Sequence, residues 1–408
     1  SFEFIVIGTE EELHGRFSAL WDYIHTPQEQ LQPWEKDEAE CGLPEKAPRR
    51  QDLLTHLTRL NIYDGRNDSF SEDLLRAMLA HCPNLTHISM PKLTEIRNPQ
   101  GLAQDIAQLC PRLKSVQNYG EEGDATAAPI LQLLGMLPPQ QVESLSCIAQ
   151  PPFVVSGFGD LGGLFRRHSS TMRSIEIHSS HNIGSKTIQT ILVECEALEQ
   201  LSVDWGLSNS WHQLRIVLED AIEAPWACTR IQELALSVAI PDEPFHHLTE
   251  DRVPYYERPA PTALFPDEKE QLSSLKDLYR QIGALKELHS LHLHALFYDP
   301  KGVRSVSSDD QATTFPAMLS LGCEETGRPG FLHHLAGLTK LKLLYGSVSA
   351  ETRETRTTIG MEEVVWMEQH WPVLQEGGFL SRGSRNNIPK IFRWWKEQRA
   401  GKRFFIDA

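Results

Sequence analysis

Three groups of residues in this 408-residue chain have types and spacings that chemistry can use. Gly157, Gly159 and Gly162 form G-x-G-x-x-G after the apolar run Phe153-Val154-Val155, and Glu176 stands 19 residues past the first glycine. In a βαβ unit such glycines let the backbone approach a pyrophosphate, and the acid takes a ribose hydroxyl. His289, His292 and His294 surround a second apolar run. Period-two alternation puts His292 and His294 on one strand face, where two imidazoles and a carboxylate from a neighbouring strand could hold zinc. The seven cysteines form no Cys-x-x-Cys pair, which leaves a zinc knuckle or a thioredoxin-type site unsupported. There is no G-x-S-x-G elbow and no Cys-His signature for nucleophilic catalysis. His246-His247 and His333-His334 are adjacent pairs and cannot both point one way from a strand.

The residues around Glu176 and His292 belong to a longer pattern. A loose Leu-x-x-Leu-x-Leu phrase recurs as Leu57/Leu60/Ile62, Leu85/Ile88/Met90, Leu198/Leu201/Val203, Leu288/Leu291/Leu293 and Leu338/Leu341/Leu343. Weaker copies are Leu113/Val116, Val142/Leu145, Met172/Ile175/Ile177 and Ile231/Leu234/Leu236. The first positions follow one another by 28, 28, 29, 30, 26, 33, 57 and 50 residues, the 57 being two periods run together or one with an insertion. A step in the high twenties is the period of a leucine-rich repeat, one strand and one helix per coil. Because Met172/Ile175/Ile177 is one beat of this period, the glycine motif reads as part of a coil rather than as a cofactor loop. No cofactor and no metal are expected, and the chain is expected not to be an enzyme.

The surroundings of the phrase support the same unit. A cysteine lies three residues before the first apolar position in four copies, as Cys82, Cys110, Cys195 and Cys228, and Trp371 takes that place near the end. Apolar pairs further upstream, such as Leu75/Met78, Ile188/Ile191 and Val364/Met367, share one face of a helix. Ser69 and Glu72 have the spacing of a capping box at the first of these helices. The predicted fold is an α/β leucine-rich-repeat solenoid, curved, with parallel strands on the concave face and helices on the convex face. Successive strand side chains alternate sides, so the residues flanking the inward positions line the concave face. They are Arg59, Asn61, Tyr63, His87, Gln117, Tyr119, Glu176, His178, Asp204, His292, His294 and Lys342. Tyr63 and Tyr119 occupy equivalent places two coils apart and are the expected energetic anchors, since tyrosine is enriched among them.

Segments such as His81-Cys82-Pro83-Asn84-Leu85-Thr86-His87-Ile88, and Ile188 through Cys195 to Val203, resemble the cysteine-containing leucine-rich repeats of F-box proteins, within a ribonuclease-inhibitor-like superfamily. The phrase from Glu362 to Pro372 is similar to endings found in fungal members. The resemblance covers residues 50 to 380 by repeat phase. It implies a protein target on the concave face and the role of substrate receptor in a cullin-type (SCF) ubiquitin ligase. A stand-alone repeat scaffold or regulator is the alternative. Residues 1–50 show no F-box, so a Skp-type adaptor would dock through a segment upstream of Ser1. Leu93 and Gly206 stand where the family usually has a second cysteine or asparagine.

Composition narrows the partners. Fifty-five acidic and 39 basic residues give a net charge of −16, which repels nucleic acid and steers basic partners inward. No apolar run approaches the ~20 residues that a membrane helix needs, and Phe4-Ile5-Val6-Ile7 is too short for a secretory signal. Free cysteines at repeat-phase positions suit a reducing compartment, so a cytoplasmic or nuclear location is expected. The expected layout is a helical cap and loop over 1–50, the solenoid over 51–380 and a C-terminal cap over 381–408. Insertions are expected at about 241–270, 298–316 and 346–358. The Pro- and acid-rich stretch 241–270 has the composition of a loop.

Overall fold

The computed structural model describes residues 2–8, 56–64, 72–90, 98–118, 127–148, 161–178, 183–204, 215–241, 258–259, 261, 263–298, 315–325, 327–346, 360–377, 395, 397–399 and 405–406. The chain forms two compact units, Ser1–Met172 with Ser179–Asn182, and Arg173–His178 with Ile183–Ala408. In the first unit the order is β1 (Phe2–Gly8), β2 (Leu57–Asp64), α1 (Glu72–Ala80), β3 (His87–Met90), α2 (Pro99–Leu109), β4 (Ser115–Asn118), α3 (Ala127–Met136), β5 (Ser144–Ile148) and α4 (Leu161–Arg166). The second unit begins with β6 (Ser174–His178), α5 (Ser185–Glu194), β7 (Gln200–Asp204), β8 (Ile216–Val217), α6 (Leu218–Ile222), β9 (Glu233–Pro241) and α7 (Pro266–Gly283). It continues with β10 (Ser290–Tyr298), a 3-10 turn at Leu332–Leu335, β11 (Leu343–Gly346), α8 (Met361–His370), β12 (Glu376–Gly377) and β13 (Phe405–Ile406).

Strands in both units pair in parallel and in chain order, with only the short β8 set beside β9 off the path. Parallel neighbours require a crossover, and the helices supply it. Each unit is therefore a stretch of α/β leucine-rich-repeat solenoid. Register explains the phrase. Leu60, Ile88, Val116 and Leu145 stand opposite one another across the first unit. Ile175, Leu201, Leu234, Leu291 and Leu344 do so across the second. All nine are at most 1% exposed, and each buried aliphatic side chain contributes roughly 1.5–3 kcal/mol. No coil covers its own inward row; the next coil does.

The register departs from the sequence reading in two places and decides between two readings in a third. β1 adds a parallel rung before the first phrase copy, pairing Phe4 with Leu60 and Val6 with Ile62. The rest of the segment expected as a helical cap and loop, from residue 9 on, lies outside the described residues. The interval between Ile231 and Leu288 holds one long coil, β9–α7–β10, so the step of 57 is a single period with an insertion. The last phrase shifts by three residues. Leu344, not Leu341, stands opposite Leu291, and the inward residues are Leu341 and Leu344. In that coil Gly346 replaces the third aliphatic residue. Its φ is +100°, and a Cβ there would come 2.0 Å from the Leu293 carbonyl oxygen, so only glycine fits.

The cysteine position is a corner with a hydrogen-bonding task. The carbonyl of Cys82, Cys110, Cys195, Cys228, Leu285, Leu338 and Trp371 accepts the backbone N–H three residues on, at 3.0–3.2 Å, which turns the chain from helix into strand. The side chains of Cys110, His168 and Trp371 then add a donor to carbonyls at the end of the preceding coil's helix, where intrahelical partners run out. Cys110 Sγ donates to Cys82 O at 3.6 Å and Leu79 O at 4.0 Å. His168 Nε2 donates to Leu134 O at 2.8 Å, and Trp371 Nε1 donates to Leu335 O at 3.2 Å. Burial pushes the thiols of Cys82, Cys110, Cys195 and Cys228 up to about 12, so they stay protonated and able to donate. Burial lowers the pKa of His168, which keeps its ring neutral while the backbone N–H groups of Gln141 and Val142 approach Nδ1 at 3.4 Å.

The helix α7 is anchored at both ends. The buried Glu268 accepts the N–H of Phe265 at 2.8 Å, closing the first turn. Arg258 binds both Glu268 oxygens, donates to Ala263 O at 2.6 Å and lies 4.3 Å above the Phe265 ring. Of the expected 241–270 insertion, Pro241 ends β9 and Pro266 begins α7; residues 242–257 lie outside the described residues. At the other end Gly283 and Gly337 let α7 and the 3-10 turn meet backbone to backbone.

Beside that contact His334 stacks on Phe331 and touches His333, with its Nε2 buried and unpartnered. Burial, then the nearby His333, Arg280 and Lys276 charges, lowers its pKa to about 4. The unfolded chain binds this proton near pH 6.5, whereas the folded chain binds it only near 4. The stabilisation is therefore complete above about pH 6.5 and is lost as pH falls toward 4. His334→Leu is expected to leave stability at pH 7.5 little changed and to recover about 1 kcal/mol at pH 4.5, after allowance for solvent screening. Urea unfolding at the two pH values measures this; an unchanged acid loss would refute the assignment.

Candidate functional site

The strand face opposite the core carries two rows of side chains in each unit. In the first unit one row runs Arg59, His87, Ser115, Ser144 and the other Asn61, Ser89, Gln117, Ser146. Thr86 Oγ1 donates to Thr58 O at 3.0 Å, so its 2.8 Å contact with His87 Nδ1 is donated by the ring. His87 Nε2 is then an acceptor for Arg59 Nη2 at 3.5 Å, and the two nominated residues form one polar chain. Asn61 and Gln117 flank Ser89, whose hydroxyl is buried without a partner. Tyr63 lies on β2 with its side chain outside the described residues, and Tyr119 lies outside them altogether.

In the second unit the rows are Ser174, Gln200, Glu233, Ser290, Leu343, Glu376 and, two residues on along each strand, Glu176, Ser202, Ala235, His292, Tyr345. Between Glu176 and His292 the small Ser202 and Ala235 leave a depression of about 290 Å³. It is lined by Ser174, Ile175, Glu176, Gln200, Leu201, Ser202, Glu233, Leu234, Ala235, Ser290 and His292. One wall is aromatic: His292 meets Tyr345 edge to face at 4.7 Å and His294 at 6.2 Å. Glu176 and His292, nominated from sequence, meet at this depression. His178 and Asp204 are opposite one another in register, with side chains outside the described residues.

Lys342 stands elsewhere. The shifted phrase puts it one residue before β11, where its N–H donates to His289 O at 2.7 Å, in line with Glu199, Gln232 and Gln375. Tyr345 takes the place in the row that was assigned to it. Sequence reasoning also passed over Ser202, Ala235, Gln200 and Glu233. Their signal was present in the phrase itself, two and four residues after each first position, but small side chains do not stand out in a list of candidates.

Among the described residues no three His, Cys, Asp or Glu side chains converge as a metal site. His292 and His294 form an aromatic wall. In the glycine motif Gly162 is buried on the six-residue α4, while Phe153–Val155, Gly157 and Gly159 lie outside the described residues. No described helix is long and apolar enough to cross a membrane.

No protein-family model matches the chain, and no curated protein matches it. Solved structures do. The crystal structure of the Rad7 and Elc1 complex in yeast matches 82% of this chain and 74% of that chain, at 12% identity and a TM-score of 0.38. The leucine-rich repeat-containing protein LegL7 from Legionella pneumophila matches 63% and 69%, at 13% identity and 0.27. A protein from Bacteroides fragilis matches 74% and 83%, at 11% identity and 0.29. The repeat itself is established by this chain's own strand register.

Proposed function

We propose that the chain is a protein-recognition module whose outward strand rows form the binding face. One observation carries this: in the second unit, five adjacent strands present a row of graded side chains, Glu176, Ser202, Ala235, His292 and Tyr345, with a polar depression in the middle. A fixed ladder of this kind holds side chains in place without a loop-ordering cost, which favours specific protein contacts. The finer reading is that the face holds the target of an F-box type ubiquitin-ligase receptor, with a Skp-type adaptor bound through another part of the protein. It rests on the cysteine-phase repeats at Cys82, Cys110, Cys195 and Cys228.

A photo-crosslinking residue at Gln117 or Ser202 is expected to capture partner proteins in cells, while one at Lys269, exposed on α7, captures none of them. Equal capture from both places would remove the strand face as the binding surface. Purification of the full-length gene product tests the finer reading. Co-purifying Skp-type adaptor and cullin would support it, and their absence with the target still bound would leave a scaffold.

A further inference from the structure

The seam between α7 and the 3-10 turn holds a buried imidazole nitrogen with no hydrogen-bond partner, Nε2 of His334. We infer that protonation of His334 parts this seam and frees the turn and β11 while the rest of the second unit stays folded, a device independent of the protein-recognition reading above. The closed seam is tight. The His334 carbonyl oxygen lies 1.9 Å from where a Gly283 Cβ would be, and the His334 ring stacks on Phe331 with 6.2 Å between centroids. A neutral imidazole forgoes one hydrogen bond in such a place. An imidazolium carries an N–H on both nitrogens, so the buried one becomes a charged donor without an acceptor, which costs far more.

The groups facing His334 act in the same direction. His333, on the turn itself, has its ring centroid 4.0 Å away. On α7 it faces Lys276, Asp277 and Arg280, and Asp277 is matched by Arg280 at 3.2 Å, so the balance is positive. The other two pieces packed on the turn bring no charge. Phe315–Ser320 accepts the N–H groups of Phe331 and Leu332 through Ala317 O and Ser320 O, and the indole of Trp371 donates to Leu335 O. In the closed seam His334 binds a proton only near pH 4, and released to water it binds one near 6.5. Each pH unit between those values favours the open form by up to tenfold, less what solvent screens at the water-facing part of the ring. The opening spreads forward along the chain because β11 pairs with β10 over only four residues, whereas β9 and β10 pair over nine.

Amide exchange on the full chain at pH 7.5 and 4.5, each rate divided by the intrinsic rate at that pH, is the test. Opening at Leu332–Leu335, at the last turn of α7 and at β11 is expected to rise roughly tenfold or more in acid, with α5 and β9 unchanged. In His334→Leu the rise is expected to disappear. An equal rise in His334→Leu, or an equal rise at α5, would overturn the inference. The ring gives a second measurement that needs no variant. Its NMR shifts are expected to titrate together with the exchange of the turn, well below the ordinary midpoint of about 6.5. A ring that titrates at about 6.5 while the turn keeps its protection would overturn the inference as well.

Discussion

Gly283→Ala is expected to destabilise the second unit by about 3 kcal/mol or more, enough to lower its melting temperature on the order of 5–10 °C. The new Cβ would come 1.9 Å from the His334 carbonyl oxygen and 2.9 Å from its carbon, both backbone atoms that no rotamer change can move. Relief requires α7 and the 3-10 turn to separate, which opens the buried contacts of Leu278, Ile282, Leu332 and Leu335. Gly184 is the control. Nothing lies within 4 Å of its Cβ position and its φ is −78°, so Gly184→Ala should stay within about 1 kcal/mol of the parent. Comparable melting of the two variants would mean that the helix and the turn are not in close contact.

Arg399→Ala is expected to cost about 3 kcal/mol, concentrated at the C-terminal coil. The guanidinium is 1% exposed. It donates to Trp371 O at 3.0 Å, to Leu374 O, and to Glu368 Oε2 at 2.5 Å. Trp395 Nε1 donates to the same Glu368 oxygen at 2.7 Å. Removing the arginine leaves the Leu374 carbonyl without this donor, and it takes one of two donors from Trp371 O, which keeps the Leu374 N–H, and from Glu368 Oε2, which keeps Trp395. Arg399→Lys is not expected to rescue, because an ammonium cannot span three acceptors set around a planar fork. Amide exchange reads this directly: α8 should lose protection in both variants while α5 keeps it. Unchanged exchange at α8 would show that Arg399 contributes nothing to the end of the unit.

The period was legible in the sequence because burial forces it. Each coil must present an aliphatic residue at the same height as its neighbour, as Ile175, Leu201, Leu234 and Leu291 do. The last coil misled because Leu338, Leu341 and Leu344 recur every three residues, so two frames fit equally well, and only pairing with β10 chooses between them. That choice moved Lys342 out of the face and Tyr345 into it. The corner was legible as a phase but not as a function. A thiol, an imidazole, an indole and a guanidinium look unrelated in a string of letters, yet Cys110, His168, Trp371 and Arg399 all donate to carbonyls of the coil before them. The depression was the least legible feature. It is defined by where Ser202 and Ala235 are small relative to Glu176 and His292, and that comparison needs the register between coils.

The corner bonds run in one direction, from later residue to earlier carbonyl, and this gives the molecule a polarity in time as well as in space. Arg399 reaches Trp371 O across 28 residues, the same interval by which Cys110 reaches Cys82 O. On the ribosome, a coil such as that of Cys82 or Trp371 emerges with its corner carbonyl bonded once, to its own backbone, and gains the second donor only when its successor follows. A message truncated before Arg399 yields a product in which the Trp371 carbonyl keeps the Leu374 N–H and loses its side-chain donor.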